Sequence, residues 1–279
     1  KVLAVSDDEM NYVQQDLGNV LLFDYIAEGR KTGVFSAPEK EMLRKTMRGL
    51  ARFQVVAAEQ FDFNQCYPQP EFNLRSILWD LNYFKYCFLK ATGLEFQEDK
   101  LENEFERLAY ILLQSKMSAF MYRDFQSRNV MVCKKDDGTE VPYFIDFQGG
   151  RRGPVYYDLA SFVWQPRAGF SNRFRHKLVD VYMTAASAYM AVERAEFDKT
   201  LDRFILFRLL QLLGCYGFRG LIENKAAFMT SIPLTMNLMR EQLTLCDWPY
   251  PYLVDVLGRL ARMPKFQGLT EGDGKLTVR

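Results

Sequence analysis

Three polar residues in the middle of the chain have the types and spacing that phosphoryl transfer requires. Asp124 is followed five positions later by Asn129, and Asp146 comes at the end of the next extended stretch. In phosphoryl transfer, one carboxylate orients the acceptor hydroxyl and takes its proton, while an amide oxygen and a second carboxylate hold Mg²⁺ against the phosphates. The sequence therefore contains a candidate for each of these three roles.

A β-hairpin is predicted between Asn129 and Asp146. Two short apolar runs, residues 130–133 and 141–145, are separated by a polar segment that ends in Asp-Gly, a strong signal for a hairpin turn. Because a hairpin brings the outer ends of its strands together, we expect Asn129 and Asp146 to converge on one ion. Asp124 then lies across the preceding loop, where an acceptor can approach.

The residues around these positions resemble the catalytic elements of protein kinase-like enzymes. The sequence reads Arg-Asp-Phe-x-x-x-Asn over residues 123–129 and Ile-Asp-Phe over residues 145–147. The stretch 146–160 continues as far as Gly-Pro-Val-Tyr-Tyr-Asp-Leu-Ala and resembles the aminoglycoside phosphotransferase and choline kinase superfamily, in which it opens a helix. The resemblance covers residues 10–245 and implies an α+β, protein kinase-like bilobal fold.

Within that superfamily, the chain is most similar to the sugar 1-kinases of bacterial cell-wall recycling. These enzymes phosphorylate N-acetylmuramate and N-acetylglucosamine at the anomeric position. The similarity depends on Asp-Phe-Gln at residues 146–148, Trp-Asp-Leu-Asn-Tyr-Phe at residues 79–84 and Leu-Leu-Gly at residues 212–214. It implies ATP and Mg²⁺ as cofactors and a small-molecule substrate, an amino sugar, as the acceptor.

Two other kinds of function remain open. One is a choline, ethanolamine or aminoglycoside kinase; a choline site needs aromatic rings around a quaternary ammonium, and the abundant tyrosines and tryptophans could supply them. The other is a catalytically weak, ATP-sensing module of a larger protein.

Carried over residue by residue, the resemblance assigns roles to the polar residues. It implies that Asp124 is the catalytic base and that Asn129 and Asp146 are the magnesium ligands. Asp158 stands where the family has a structural carboxylate, which we expect to cap the next helix. The hinge whose backbone groups bind adenine corresponds to Gln15, Asp16 and Leu17.

Three further side chains are candidates for contacts with the acceptor. Asp80, on a predicted helix, could bind substrate hydroxyls, and a surface charge is the alternative. Arg151 and Arg152 suit an anionic group such as the lactyl carboxylate of N-acetylmuramate, and a solvated loop is the alternative.

The chain departs from the family pattern in two respects. Tyr122 stands where a histidine usually precedes Arg-Asp, although tyrosine can fill the same packing and hydrogen-bonding role. No Gly-x-Gly-x-x-Gly or Walker A run occurs, and no phosphate-binding lysine precedes the hinge. We therefore expect the N-terminal lobe to be largely missing from this chain, and this fragment alone to bind ATP poorly.

Three regions are predicted along the chain. Residues 1–18, which begin with a hairpin, are interpreted as a remnant of the N-terminal lobe sheet and the hinge. Residues 19–265 are interpreted as the helical C-terminal lobe that carries the catalytic loop. Residues 266–279 are interpreted as a linker that leads toward a further, fused domain.

Most of the chain has the apolar spacing of helices. Ser36 and Glu39, with Pro38 between them, form a capping box that begins one helix, and Leu101, Phe105, Leu108 and Leu112 fall on one face of another. Further helices are predicted at about 76–91, 172–192, 196–216, 225–245 and 251–262.

The composition of the chain excludes several classes of function. Its 279 residues include 36 basic and 35 acidic side chains, a net charge of +1, which gives no electrostatic case for nucleic acid or an anionic membrane. The single histidine, His176, excludes multi-histidine metal sites. Five scattered cysteines without a Cys-x-x-Cys motif favour neither a disulfide framework nor a zinc site.

The sequence also indicates a location. No apolar run approaches the roughly 20 residues that span a bilayer, and the first residues do not resemble a signal peptide. We therefore expect a cytoplasmic protein with no membrane partner.

Overall fold

The computed structural model describes residues 2–116, 119–245 and 248–266 of the chain. The predicted linker lies, apart from its first residue, outside these described residues.

Six short strands form three two-stranded antiparallel sheets within the described part of the chain. The strands are β1 (Val2–Val5), β2 (Tyr12–Gln14), β3 (Ala119–Met121), β4 (Val130–Lys134), β5 (Glu140–Phe144) and β6 (Arg151–Gly153). β1 pairs with β2, β3 with β6, and β4 with β5. The hairpin predicted at the start of the chain and the hairpin predicted after the catalytic loop are both confirmed.

The other elements are helical, so the chain is an α+β protein that is mostly α. The helices are α1 (Leu22–Tyr25), α2 (Ala27–Thr32), α3 (Ala37–Gln60), α4 (Leu74–Phe84), α5 (Glu98–Leu113), α6 (Val155–Val163), α7 (Asn172–Ala186), α8 (Arg194–Tyr216), α9 (Ala226–Met229), α10 (Ile232–Leu243) and α11 (Pro251–Ala261). α4 continues through a π turn (Lys85–Leu89) and a 3₁₀ turn (Lys90–Thr92), and α8 continues through a π turn (Gly217–Ile222).

The predicted capping box at the start of α3 is confirmed. The Ser36 hydroxyl accepts a hydrogen bond from the Glu39 amide at 3.4 Å, and the Glu39 carboxylate accepts one from the Ser36 amide at 2.6 Å. The same carboxylate also accepts a hydrogen bond from the Gly29 amide at 3.0 Å. Glu39 therefore joins α2 to the beginning of α3 as well as capping the helix.

The helix predicted at 225–245 is instead two helices, α9 and α10. Pro233 stands in the first turn of α10, where its lack of an N–H costs nothing, whereas in a continuous helix it would remove a hydrogen bond. The predicted helices near α4, α7, α8 and α11 are confirmed.

The core is organised around α8, which packs against α4, α6 and α10. Apolar residues of α8 are buried on every side, which is typical of a central helix. Among the described helices, α8 with its continuation (Arg194–Ile222) is the one long and apolar enough for a membrane span by length and composition alone. An 18-residue window within it has a mean hydropathy of 1.4. Its packing between three other helices accounts for that apolar character.

The sheets position the predicted catalytic loop, residues 122–129. β3 pairs with β6 so that Met121 lies opposite Arg151, and the loop after β3 therefore begins beside the segment that follows Asp146. On the hairpin, Val132 of β4 donates a backbone hydrogen bond to Val20 at 2.8 Å, so the chain that follows the predicted hinge runs along the same hairpin.

α8 and α4 approach so closely that glycine is required at their crossing. A Cβ added to Gly214 would lie 2.8 Å from the Phe84 backbone nitrogen and 2.9 Å from the Tyr83 carbonyl carbon, and neither atom belongs to a flexible side chain. Gly258, in α11, has more room, because its added Cβ would lie 3.5 Å from the end of the Arg262 side chain.

We expect Gly214→Ala to lower the free energy of unfolding by about 1–3 kcal/mol, because α8 must move away from α4. Gly258→Ala is the matched control and should raise the stability by roughly 0.5–1 kcal/mol through helix propensity alone. Urea unfolding measures both. Equal stabilisation by the two substitutions would show that the helices are not in close contact at Gly214.

Candidate active site

A buried carboxylate on α6 fixes the backbone at the start of the predicted catalytic loop, residues 122–129. Asp158 accepts hydrogen bonds from the backbone amides of Tyr122 at 2.7 Å and Arg123 at 2.8 Å. The prediction that Asp158 caps a helix is wrong: α6 begins after Pro154, and Asp158 bonds the loop instead. The carboxylate therefore fixes the backbone immediately before Asp124.

Two further helices support this carboxylate. The side-chain amide of Gln54 on α3 donates to Asp158 at 2.8 Å, and the Tyr182 hydroxyl on α7 donates to the Gln54 amide oxygen at 2.6 Å. Burial raises the pKa of Asp158 to about 7, although the hydrogen bonds from Tyr122, Arg123 and Gln54 act in the opposite direction.

The side chain of Tyr122 connects the loop to the segment that carries Asp146. Its hydroxyl donates to the Ile145 carbonyl oxygen, and its ring packs against Phe53 and Phe125. Burial, followed by the nearby negative charges, raises the pKa of this hydroxyl, so it remains a donor. Tyr122 thus both packs and hydrogen bonds at the position where the family usually has histidine.

The three residues predicted to do the chemistry converge. The Asn129 side-chain amide donates to the Asp124 carbonyl at 2.9 Å, to the Asp124 carboxylate at 3.3 Å and to the Asp146 carboxylate at 3.2 Å. Asn129 immediately precedes β4 and Asp146 lies just after the end of β5, so the hairpin produces this proximity.

Two glutamines contact these carboxylates, and sequence reasoning assigned such a contact to neither. Gln126 donates to the Asp124 carboxylate at 2.9 Å, and Gln148 donates to the Asp146 carboxylate at 2.7 Å. The signal in the sequence is a repeat: Asp-Phe-Gln occurs at 124–126 and again at 146–148. In each copy the amide restrains the carboxylate two residues earlier.

The backbone at two loop positions has the left-handed conformation. Arg123 has φ of 75° and Asp146 has φ of 68°, values that most side chains adopt only at a cost. Arg123 immediately precedes Asp124, and Asp146 itself carries the carboxylate that Asn129 contacts.

Asn129 and Asp146 fit a magnesium site. The Asn129 amide nitrogen makes all its hydrogen bonds to Asp124 and Asp146, and within residues 2–116, 119–245 and 248–266 nothing donates to its amide oxygen. The Asp146 side chain is exposed. The described residues contain no cluster of three or more His, Cys, Asp or Glu side chains suited to a metal. Mg²⁺ bound by one or two protein side chains takes its other ligands from phosphates and water.

The predicted hinge lies beside the same hairpin. Gln15, Asp16 and Leu17 line an open cavity of about 800 Å³ between the chain after β2 and the turn of the β4–β5 hairpin. The Cys133 thiol donates to the Leu17 carbonyl at 3.2 Å. The Asp16 carboxylate accepts from the Gly18 amide at 2.8 Å, which fixes the local turn.

A second cavity, of about 640 Å³, opens at Asp124. Its wall is formed by the catalytic loop, by α8 and by the α9–α10 region, and both Asp124 and Asp146 face it. We call it the acceptor cavity. Its volume is that of a typical site for a small molecule.

None of the three predicted substrate-contacting side chains lines the acceptor cavity. Asp80 is buried and its carboxylate pairs with the Arg123 guanidinium at 3.1 Å; burial raises its pKa, which this positive charge opposes. Arg151 is buried, and its Nη1 makes no hydrogen bond within the described part of the chain. Arg152 is exposed, with its guanidinium 4.8 Å from the centre of the Phe63 ring.

The arginines that do line the acceptor cavity, besides Arg123, are Arg128, Arg167 and Arg208, which sequence reasoning did not assign to the substrate. Arg208 lies on α8, is buried, donates to the Ser161 hydroxyl at 3.0 Å and approaches Asp124 to 4.0 Å. A signal for Arg208 was available, because it interrupts the apolar run Phe-Ile-Leu-Phe-Arg-Leu-Leu of the central helix.

The pKa of Asp158 predicts how stability depends on pH. Folding raises this pKa from its ordinary value near 3.8 to about 7, so the folded state holds a proton that the unfolded state has lost between those values. The contribution of Asp158 to stability therefore falls as pH rises from about 4 to about 7. Asp158→Asn removes this dependence.

The measurement is the difference in the free energy of unfolding between the wild type and Asp158→Asn, at about pH 4.5 and about pH 7.5. The wild type should lose stability relative to the variant at the higher pH. If the wild type gains instead, the three hydrogen bonds outweigh burial and the carboxylate is charged in the folded protein.

Comparisons with known proteins relate the sequence of this chain to phosphotransferases. The sequence model of the phosphotransferase enzyme family matches residues 14–196. Over 247 residues the chain is 26% identical to the N-acetylmuramate/N-acetylglucosamine kinase of Neisseria meningitidis serogroup B (strain ATCC BAA-335 / MC58), covering 86% of this chain and 69% of that protein.

Two solved structures have low similarity to this chain: a choline kinase from Cryptosporidium parvum Iowa II and an ethanolamine kinase from Plasmodium vivax. The first has a TM-score of 0.48 and 11% identity, covering 88% of this chain and 74% of that chain. The second has a TM-score of 0.47 and 13% identity, covering 96% and 69%.

The family match covers more than half of the chain and includes the catalytic loop, the β4–β5 hairpin and α6 with its buried carboxylate. This chain belongs to the phosphotransferase enzyme family.

Proposed function

We propose that this phosphotransferase moves the γ-phosphoryl group of ATP to a hydroxyl of an amino sugar that binds in the acceptor cavity. The observation that carries the proposal is the joint position of Asp124, Asn129 and Asp146. The Asn129 side-chain amide donates hydrogen bonds to both carboxylates, and both carboxylates face a cavity large enough for a small molecule.

In this proposal Asp124 accepts the proton of the acceptor hydroxyl. Its carboxylate is half exposed toward the cavity, while Gln126 and Asn129 hold its two oxygens. The hydrogen bonds fix the direction of the carboxylate before the acceptor arrives. Positioning of this kind lowers the barrier because the reacting groups need not be ordered during the reaction.

The nucleotide would bind between the hinge and the hairpin. Backbone groups of residues 15–17 would bind the adenine, and Asn129 and Asp146 would hold Mg²⁺ at the end of the same hairpin. When bound, Mg²⁺ neutralises charge on the phosphates. The hairpin would thus position both the nucleotide and the ion. One of its strands pairs with the chain after the hinge, and the ends of the strands adjoin the two proposed ligands.

The choice of an amino sugar as the acceptor depends on sequence similarity. The Neisseria relative is named for N-acetylmuramate and N-acetylglucosamine, and it matches 86% of this chain. The motifs at 79–84, 146–148 and 212–214 favour the same group of kinases. Transfer to the anomeric hydroxyl is part of this proposal.

Asp124→Asn should reduce kcat by about 10²–10⁴-fold, because the general base is lost while the side chain keeps its shape. ³¹P NMR of the full-length protein with Mg-ATP and N-acetylglucosamine measures the sugar 1-phosphate formed. The matched control is Asp255→Asn, an exposed carboxylate on α11 that pairs with Arg259. A near wild-type rate for Asp124→Asn would rule out the proposed base.

Asp146→Ala should weaken ATP binding in the presence of Mg²⁺ by at least about tenfold, because a ligand of the ion is lost. Isothermal titration calorimetry with and without Mg²⁺ separates this effect from a change in fold, since binding without the ion should change little. Unchanged affinity in the presence of Mg²⁺ would contradict the proposed ligand.

A further inference from the structure

The acceptor cavity carries more positive than negative charge. The titratable side chains that line it include four arginines, Arg123, Arg128, Arg167 and Arg208, and two carboxylates, Asp124 and Asp146. The charge of Arg123 is neutralised by Asp80, whose carboxylate lies 3.1 Å from the Arg123 guanidinium and does not line the cavity. The excess charge therefore comes from the other three arginines.

Two of these arginines have no carboxylate partner among the described residues. Arg167 is held by neutral oxygens only: it donates to the Ser231 hydroxyl at 2.8 Å, to the Thr230 hydroxyl and to the Ala227 carbonyl. Arg128 is exposed, and its guanidinium lies 4.8 Å from the centre of the Phe23 ring. Both guanidiniums thus keep an uncompensated charge at the cavity wall.

Contacts of a further cation, Arg30, place Arg128 and Arg167 near each other. The Arg30 guanidinium donates to the Arg167 carbonyl at 2.9 Å, and it contacts the Phe23 ring at 3.3 Å, the same ring that Arg128 contacts. Burial and then the charge of Arg128 lower the pKa of Arg30. Tyr216 also lines the cavity; burial raises the pKa of its hydroxyl to about 12, and the charges of Arg208, Arg167 and Arg128 oppose the rise, in that order.

Like charges in one cluster repel one another, and a bound anion would relieve that repulsion. Guanidinium groups also match carboxylate and phosphate oxygens with paired hydrogen bonds. The cavity beside the hinge, by contrast, is lined by no arginine among the described residues. The cluster therefore lies on the acceptor side of the hairpin.

We infer that the acceptor carries an anionic group, a carboxylate or a phosphate, which Arg128 and Arg167 bind while the reacting hydroxyl faces Asp124. This inference rests on the proposed phosphotransfer in the acceptor cavity. On this inference, Arg128 and Arg167 determine which acceptors bind. Cationic acceptors are excluded, because an ammonium group would add to the excess positive charge.

The test compares acceptors that differ in one anionic group. N-acetylmuramate and N-acetylglucosamine differ by a lactyl carboxylate, and N-acetylglucosamine 6-phosphate carries a phosphate instead. With saturating Mg-ATP and the full-length protein, kcat/KM for one of the two anionic sugars should exceed that for the neutral sugar by at least about tenfold. The favoured sugar identifies the anion as carboxylate or phosphate.

Arg128→Gln and Arg167→Gln should each reduce this preference by about tenfold or more, through a higher KM for the anionic sugar. Arg219→Gln, which removes an exposed arginine paired with Glu223 beyond the end of α8, is the matched control and should leave the preference unchanged. Arg128→Gln breaks no hydrogen bond of the described chain, so it remains informative if Arg167→Gln unfolds the α9–α10 region.

Equal use of neutral and anionic sugars by the wild type, or an unchanged preference in both variants, would overturn the inference. If no amino sugar is phosphorylated, the proposed acceptor is wrong, and the pairs glycerate and glycerol, and glucuronate and glucose, then test the inference alone. Product from the acids only would support it. Product from a neutral member or from choline would overturn it, and no product from any acceptor would overturn both proposals.

Discussion

The Asp158 carboxylate is completely buried, and the geometry of the active site depends on the three hydrogen bonds that it accepts. A buried carboxyl group is costly unless its oxygens are satisfied. Here two donors are backbone amides of the catalytic loop and the third is Gln54, which Tyr182 orients. Asp158 of α6, supported by Gln54 of α3 and Tyr182 of α7, therefore fixes the start of the loop, and the hydrogen bonds from Gln126 and Asn129 to Asp124 fix the rest.

The β4–β5 hairpin provides the second constraint. Its first strand pairs with the chain after the hinge at Val132 and Val20, and the two proposed magnesium ligands stand at its open end. The nucleotide and the metal would thus be positioned by one rigid element. Tyr122 connects that element to the catalytic loop through the Ile145 carbonyl. The side chains of Tyr122 and Asn129 consequently set the distance between the proposed base and the proposed ligands.

Features that depend on neighbouring residues were predictable from the sequence. The capping box of Ser36 and Glu39, the Asp-Gly turn and the convergence of Asn129 with Asp146 all follow from short-range geometry. The break between α9 and α10 was also readable, since Pro233 disfavours a continuous helix. The repeated Asp-Phe-Gln was visible in the sequence, although the role of its glutamine was not recognised.

Features that depend on tertiary packing were not predictable. Asp158 has the position of a helix cap in the sequence, but only the fold shows that α6 lies beneath the catalytic loop. Asp80 and Arg123 form an ion pair across 43 residues of sequence. The arginines of the acceptor cavity come from a loop, two 3₁₀ turns and the central helix, so no local pattern groups them.

The left-handed backbone at Arg123 and Asp146 has a consequence for how this family diverges. At both positions the backbone conformation limits which residue fits, because β-branched side chains are costly there, whereas glycine and asparagine are tolerated. Asp124 lies between them in sequence with no such restriction on its φ. Among descendants that have lost activity, position 124 would therefore drift freely, while positions 123 and 146 would retain a narrow set of residues. Under the proposed roles, the identity of residue 124 would then indicate activity more specifically than the identity of residue 123.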